Sequence, residues 1–218
     1  MKSATILTNR DRTICDSLAL RVRLFTVGQI SRGFFGGDDR YAQRRIHRLV
    51  EIGLLSLTQM AVRSTPPLDR PVARWNPGDA PPAFQRISSC LVRRWTYRPL
   101  QYLSVVTLGP KAEGPSKRRE SLGVPAPFAA GHDLALSELF LRFISASPER
   151  DVRWIGEAGF ELDWPELGCS GGSIPDAMIR DAKGKPGLGI EVGGLYSPVR
   201  LSRLHATFKK QGVPYELW

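Results

Sequence analysis

Asp176 and Glu191 are the residues of this chain whose type and spacing come closest to a reactive pair. Each sits in a short apolar segment, Ile174-Pro175-Asp176-Ala177-Met178-Ile179 and Gly189-Ile190-Glu191-Val192, with the turn-rich stretch DAKGKPG between them. A two-residue turn on Lys183-Gly184 makes the segments a hairpin and sets Asp176 opposite Glu191. Facing carboxylates repel. Such a pair is tolerated when a divalent cation lies between the two groups, or when the strands are staggered or solvated.

A second group of residues suits nucleic acid. In DDRYAQRRIHRLVEIG, residues 38–53, Ala42, Ile46, Leu49 and Val50 recur at helical spacing as one apolar stripe. Arg40, Gln43, Arg44 and His47 fall on the opposite face, with Arg45 and Arg48 flanking it. Arginine can bind the O6 and N7 of guanine in bidentate fashion, glutamine can read adenine, and further arginines can hold phosphates. A helix of this kind fits the major groove of double-stranded DNA.

The elements that must position this helix are legible on both sides. Thr8 with Asp11 opens a first helix whose stripe is Ile14, Leu18 and Val22. Thr26 with Gln29 forms a capping box for a short second helix, which Gly33 is expected to stop. Asp38 or Asp39 can cap the third helix, and Gly53 stands where a left-handed residue ends it. GLLSLTQMAVR then reads as a strand. After a proline-rich turn, PVARW reads as its returning partner, so Arg63 and Arg74 join the candidate DNA contacts. The order is helix, helix, helix, strand, turn, strand. Thr26-x-x-Gln29-Ile30, Arg44-Arg45 and Leu49-Val50-Glu51-x-Gly53-Leu54-Leu55 resemble winged helix-turn-helix proteins, which implies a DNA-binding domain over residues 1–75.

Charge is distributed in keeping with this. The chain has 218 residues and a formal net charge of +10. Residues 1–75 carry 13 Lys/Arg against 6 Asp/Glu, a net of +7, and residues 76–130 carry 8 against 3, a net of +5. Residues 131–218 carry 10 against 12, a net of −2, so affinity for polyanions is expected in the N-terminal part. Residues 76–130 read as a connector. It holds a helix (Ile87, Leu91, Trp95), a strand from Tyr102 to Thr107, and a Gly-, Pro- and Lys/Arg-containing linker over 109–131.

Residues 131–218 read as a domain with a mixed sheet. HDLALSELFLRFI opens it as a helix, with Leu136, Leu139, Phe140 and Phe143 on one face. Trp154 to Glu157 forms a strand, followed by the Asp176 and Glu191 strands. A helix with Leu201, Leu204 and Phe208 inside precedes a last strand in VPYELW. The block HDLALSELFL, W-x-x-E, PDAMI, IEV resembles the PD-(D/E)xK nuclease-like superfamily. With the winged helix before it, the chain resembles the replication-relaxation family of mobile elements. The fold class expected is therefore α+β, a winged helix followed by an α/β restriction-endonuclease-like domain.

The resemblance implies Asp176 and Glu191 as ligands of Mg²⁺ or Mn²⁺, Glu157 as a third acid, and a lysine two residues after Glu191. That position is Gly193. Arg200 or Arg203 of the next helix could supply a cation instead. Without one, hydrolysis loses charge stabilisation worth several kcal/mol. The reading preferred on sequence is a double-stranded DNA-binding protein, a regulator or replication and maintenance factor of a plasmid, phage or conjugative element, with a nuclease-like domain that does not cut. A metal-dependent endonuclease and a protein-interaction adaptor are the alternatives. Homodimerisation would pair with a palindromic site. His132 reads as a helix-start residue and His205 as a packed one. Cys15, Cys90 and Cys169 lack disulfide or zinc spacing. With no apolar run of membrane-spanning length and no signal-peptide pattern, a cytoplasmic protein without a membrane partner is expected.

Overall fold

The chain builds two units by passing through each of them twice. Residues 1–63 and 100–145 form the first, and residues 64–99 and 146–218 the second. This computed structural model describes residues 6–112, 125–145, 153–157, 159–160 and 174–218. The boundaries drawn on sequence at 75 and 130 do not coincide with these units, and most of the expected 109–131 linker lies outside the described residues. The fold is α+β, and among the described residues no helix is long and apolar enough to cross a membrane.

In the first unit, helix α1 (Asn9–Leu20) opens on the Thr8 box. Thr8 Oγ1 accepts from the Asp11 amide, and the Asp11 carboxylate accepts from the Thr8 amide at 2.7 Å. Strand β1 (Phe25–Thr26) leads into α2 (Val27–Phe34), which has the Thr26–Gln29 box at its start. Helix α3 (Asp39–Glu51) is capped by Asp38, whose side chain accepts from the Tyr41 amide at 2.9 Å. Gly53 takes φ +82° after α3. Its amide bonds to the Val50 carbonyl and that of Leu54 to Leu49, a two-bond left-handed helix end that any side chain at 53 would strain.

Gly33 is not the stop that its type suggested, because α2 continues to Phe34. A Cβ at position 33 would lie 2.6 Å from Leu141 Cδ2, so the glycine is there for close approach of another helix. The turn residues are Gly36 and Gly37, with φ +62° and +87°.

Strand β2 (Leu55–Arg63) pairs antiparallel along its whole length with β4 (Leu100–Leu108), from Leu55↔Leu108 to Arg63↔Leu100. β1 joins the other side of β4, giving the order β1-β4-β2. Helix α5 (Pro127–Ser145) covers this sheet: Ala130 and Leu134 share a core with Leu24, Met60, Val62 and Val105. It also answers α2. The Gln29 amide donates to the Leu134 carbonyl at 3.0 Å, and Arg32 pairs with Glu138 at 3.0 Å. The helix expected to open the C-terminal domain thus belongs to the first unit, because its apolar stripe and its acids match partners there.

The second unit is a five-stranded mixed sheet, order β3-β8-β7-β6-β5, built from β3 (Ala73–Trp75), β5 (Trp154–Gly156), β6 (Ala177–Arg180), β7 (Pro186–Glu191) and β8 (Tyr215–Leu217). Only β7 and β8 run parallel. Helices α4 (Phe84–Thr96) and α6 (Pro198–Gln211) pack against each other and on the sheet. Ile87 and Leu91 of α4 meet Leu201, Leu204 and Phe208 of α6 in one core with Trp75, Met178 and Tyr215. PVARW is therefore not the returning strand of β2. Trp75 stacks on Tyr215 at 5.8 Å between centroids and meets His205 at 5.0 Å, which ties β3 to β8 instead.

One ion pair links the first and third helices. Asp11 is 1% exposed, and Arg45 of α3 reaches it with Nε 2.9 Å from Oδ1 and Nη2 on Oδ2. Burial pushes the Asp11 pKa up, but the hydrogen bonds from Arg45 and Thr8 more than offset it and hold the carboxyl below its usual value. Its contribution to stability is present above the unfolded carboxylate pKa of about 3.9 and is lost as pH falls through the lower folded value. Arg45→Ala should cost roughly 3 kcal/mol in urea unfolding at neutral pH, because it strands a buried charge, and should flatten the acid limb of the stability profile. A loss below about 1 kcal/mol would show that the pair does not hold α3 in place.

Candidate functional site

The outward side of α3 is the largest set of predicted contacts that the fold keeps together. Ala42, Ile46 and Leu49 are buried, while Arg40, Gln43, Arg44 and His47 are exposed. The Arg44 guanidinium lies 5.9 Å from the Tyr41 ring centroid, next to that face. Two flanking arginines are otherwise engaged. Arg45 is held by Asp11 and by the Ile6 carbonyl at 2.8 Å, and Arg48 pairs with Glu51 at 2.8 Å. Arg45 is therefore a structural cation and not a member of the exposed face. Asp11 is the partner that sequence reasoning passed over; its place at N3 of a capping box accounted for it without any arginine.

Arg63 ends β2 of the first unit and is exposed. Arg74 is on β3 of the second unit, paired with Glu216 at 2.8 Å, so it is not on a hairpin with Arg63. The strand paired with β2 is β4, which presents Leu100 and Tyr102 at 65% and 82% exposure.

In the second unit the carboxylates fall in register as expected. Ala177 pairs with Ile190, and one step further Asp176 faces Glu191. The turn is wider than two residues. The Asp181 carboxylate accepts from the amides of Lys183 (2.8 Å) and Lys185 (2.9 Å), Gly184 takes φ +76°, and a bulge between Ile179 and Arg180 restores the register. Gly156↔Ala177 puts Glu157 one step beyond β5 on the other side, where it is exposed.

Both carboxylates face donors from the protein. Asp176 Oδ2 accepts from the Val192 amide at 2.7 Å. Glu191, 2% exposed, accepts from the Tyr196 hydroxyl at 2.7 Å. Burial, then the negative charge of Glu191 and Asp176, pushes the Tyr196 pKa far up, and Arg200 offsets this in part. Tyr196 therefore stays a protonated donor. The Arg200 guanidinium lies 3.7 Å from its ring centroid. Tyr196 was not singled out on sequence; the Gly193-Gly194 step that folds it back onto Glu191 was the available signal.

Gly193 has a steric cause. A Cβ there would come 2.6 Å from Leu91 Cδ2 and 3.2 Å from Leu217 Cδ1, and the Trp95 indole donates to the Gly193 carbonyl. Helix α4 occupies the space that a lysine would need. Among the described residues no group of three or more His, Cys, Asp and Glu could hold a metal ion. His205 is packed: Nδ1 lies 3.2 Å from the Tyr215 hydroxyl, and burial and Lys209 push its pKa down. His132 lies inside α5, which begins at Pro127, and not at a helix start; its ring is 3.4 Å from Asp133.

No protein family, curated protein or solved structure matches the chain.

Two substitutions test this arrangement by urea unfolding. Gly193→Ala should lose about 1–3 kcal/mol from overpacking against Leu91. Tyr196→Phe should lose about 1–3 kcal/mol by leaving a buried carboxylate oxygen short of its donor. Neutral outcomes at both positions would mean that α4 and Tyr196 do not close the acidic pair.

Proposed function

We propose that this protein binds double-stranded DNA, with residues 1–63 and 100–145 acting as a winged helix-turn-helix unit. The observation that carries the reading is the division of α3. Its inner stripe is buried, Arg45 is anchored to Asp11, and Arg40, Gln43, Arg44 and His47 are left exposed on one side. Exposed arginines and a glutamine on a fixed helix suit base edges and phosphates in the major groove. The antiparallel β2–β4 pair, with Arg63 at its end, is the element that would serve as the wing.

The second unit is read as a nuclease-like fold that does not cut. Support comes from the side-chain space missing at Gly193 and from the Val192 and Tyr196 donors on the carboxylates. The setting proposed is control, replication or maintenance of a plasmid, phage or conjugative element. This rests on the sequence resemblance alone.

The test is binding of a labelled duplex, followed by fluorescence anisotropy over a range of salt, with intact DNA checked on a gel in Mg²⁺. Affinity should fall steeply as salt rises. Arg40→Ala with Arg44→Ala should weaken binding by about tenfold or more with unchanged thermal stability, since each lost contact costs roughly 1–3 kcal/mol. Unchanged affinity in that variant would remove α3 as the reading element. Metal-dependent nicking lost in Asp176→Ala would overturn the non-cutting reading.

A further inference from the structure

The second unit carries a cationic face of its own, made by a helix that sequence order assigned elsewhere. Residues 131–218 alone are slightly acidic. The unit, however, also takes in residues 64–99 and with them α4. Helices α4 and α6 together hold seven of the unit's 15 Lys/Arg and none of its 12 Asp/Glu. Of the unit's described acids, Glu191 and Glu216 lie in strands, Asp69, Asp79, Asp176 and Asp181 in connections, and Glu157 just after β5.

The two helices form one layer. Each turns its apolar stripe into the shared core, Phe84 of α4 meets His205 of α6 with 5.6 Å between ring centroids, and Ser88 of α4 donates to the Tyr196 carbonyl just before α6 at 2.7 Å. What remains on the outer side is Arg86 and Arg93 from α4, and Arg203, Lys209 and Lys210 from α6, all exposed. No carboxylate of the described residues forms an ion pair with any of these five. Two further arginines are held locally: Arg94 donates to the Pro67 carbonyl at 2.7 Å, and Arg200 lies over Tyr196. Self-repulsion among clustered cations destabilises a fold unless counter-charge comes from outside. Uncompensated cations on a rigid two-helix layer suit a backbone of regularly spaced phosphates.

We infer that the outer face of the α4–α6 layer is a second nucleic-acid-binding surface, one that holds the phosphodiester backbone of duplex DNA without reading its sequence. It goes beyond the α3 proposal and does not require it. Arginine and lysine as point contacts to phosphate give affinity and salt dependence, and base edges are not needed for either.

The test uses the full chain in three forms: wild type, Arg93→Gln/Arg203→Gln/Lys210→Gln, and Arg40→Ala/Arg44→Ala. A labelled duplex of arbitrary sequence is titrated at several salt concentrations, with labelled polyglutamate as a second probe. The triple variant should bind DNA at least about tenfold more weakly, and its slope of log K against log salt should be shallower by about 2–3, close to one per lost phosphate contact. Thermal unfolding checks that the fold is kept. Lys209→Gln/Lys210→Gln, both at the exposed end of α6, gives a milder variant with the same direction of change. Wild-type affinity and slope in both neutralised variants overturn the inference. Equally tight, layer-dependent binding of polyglutamate overturns it in favour of an acidic protein partner. If the α3 variant is silent and the triple variant is not, the α3 reading falls and this one stands; the reverse pattern separates them the other way.

Discussion

The first unit depends on one buried carboxylate. Asp11 accepts from the Thr8 backbone and so opens α1, and it receives the Arg45 guanidinium and so fixes α3 against α1. Removing Arg45 leaves the Asp11 charge in a place that water does not reach, which is why such pairs constrain geometry more than they add stability. The consequence for α3 is directional. A helix with one buried stripe can roll by some tens of degrees without losing much apolar contact. A bidentate guanidinium on its flank fixes the roll, and with it the bearing of Arg40, Gln43, Arg44 and His47.

The second unit obeys a different constraint, the closeness of α4 to the end of β7. With no side chain at Gly193, Leu91 and Trp95 sit directly against the backbone there. The next residues then turn back and bring the Tyr196 hydroxyl to Glu191. A glycine just after the strand, a tyrosine on the carboxylate and a helix beside both form one packing solution. A side chain at position 193 would have to displace Leu91 from that solution.

What could be read from sequence was local. Thr8, Thr26, Asp38 and Gly53 do their work within a few residues of themselves, and each was found at its expected helix end. The facing of Asp176 and Glu191 was also legible, because a hairpin register depends mainly on its turn; the wider turn and the bulge compensated each other. Apart from the width of that turn, the main failures were of partnership over distance. β2 reads as a strand from its own pattern, but nothing in that pattern says that Leu100–Leu108 and not Ala73–Trp75 will lie beside it. The α5 stripe is equally apolar whichever sheet receives it. Arg45 looked like Arg44 because its partner is on another helix. The charge reading went astray for the same reason, since the arginines of α4 were counted apart from the unit that contains them.

The double passage of the chain bears on how the protein comes into being during synthesis. When residue 63 leaves the ribosome, the first unit has its three short helices but only one long strand, with an unpaired edge of nine residues. Its partner strand emerges only after the entire 64–99 segment, and the helix that covers the sheet later still. That segment, with α4 and β3, must in turn wait for β8 at the end of the chain before Trp75 is buried. Pairings that close over such distances pay loop entropy before they gain contacts. Both units thus gain their last long-range pairings only late in the order of the chain. The order in which the ribosome delivers the chain is the reverse of what two independent modules in tandem would enjoy.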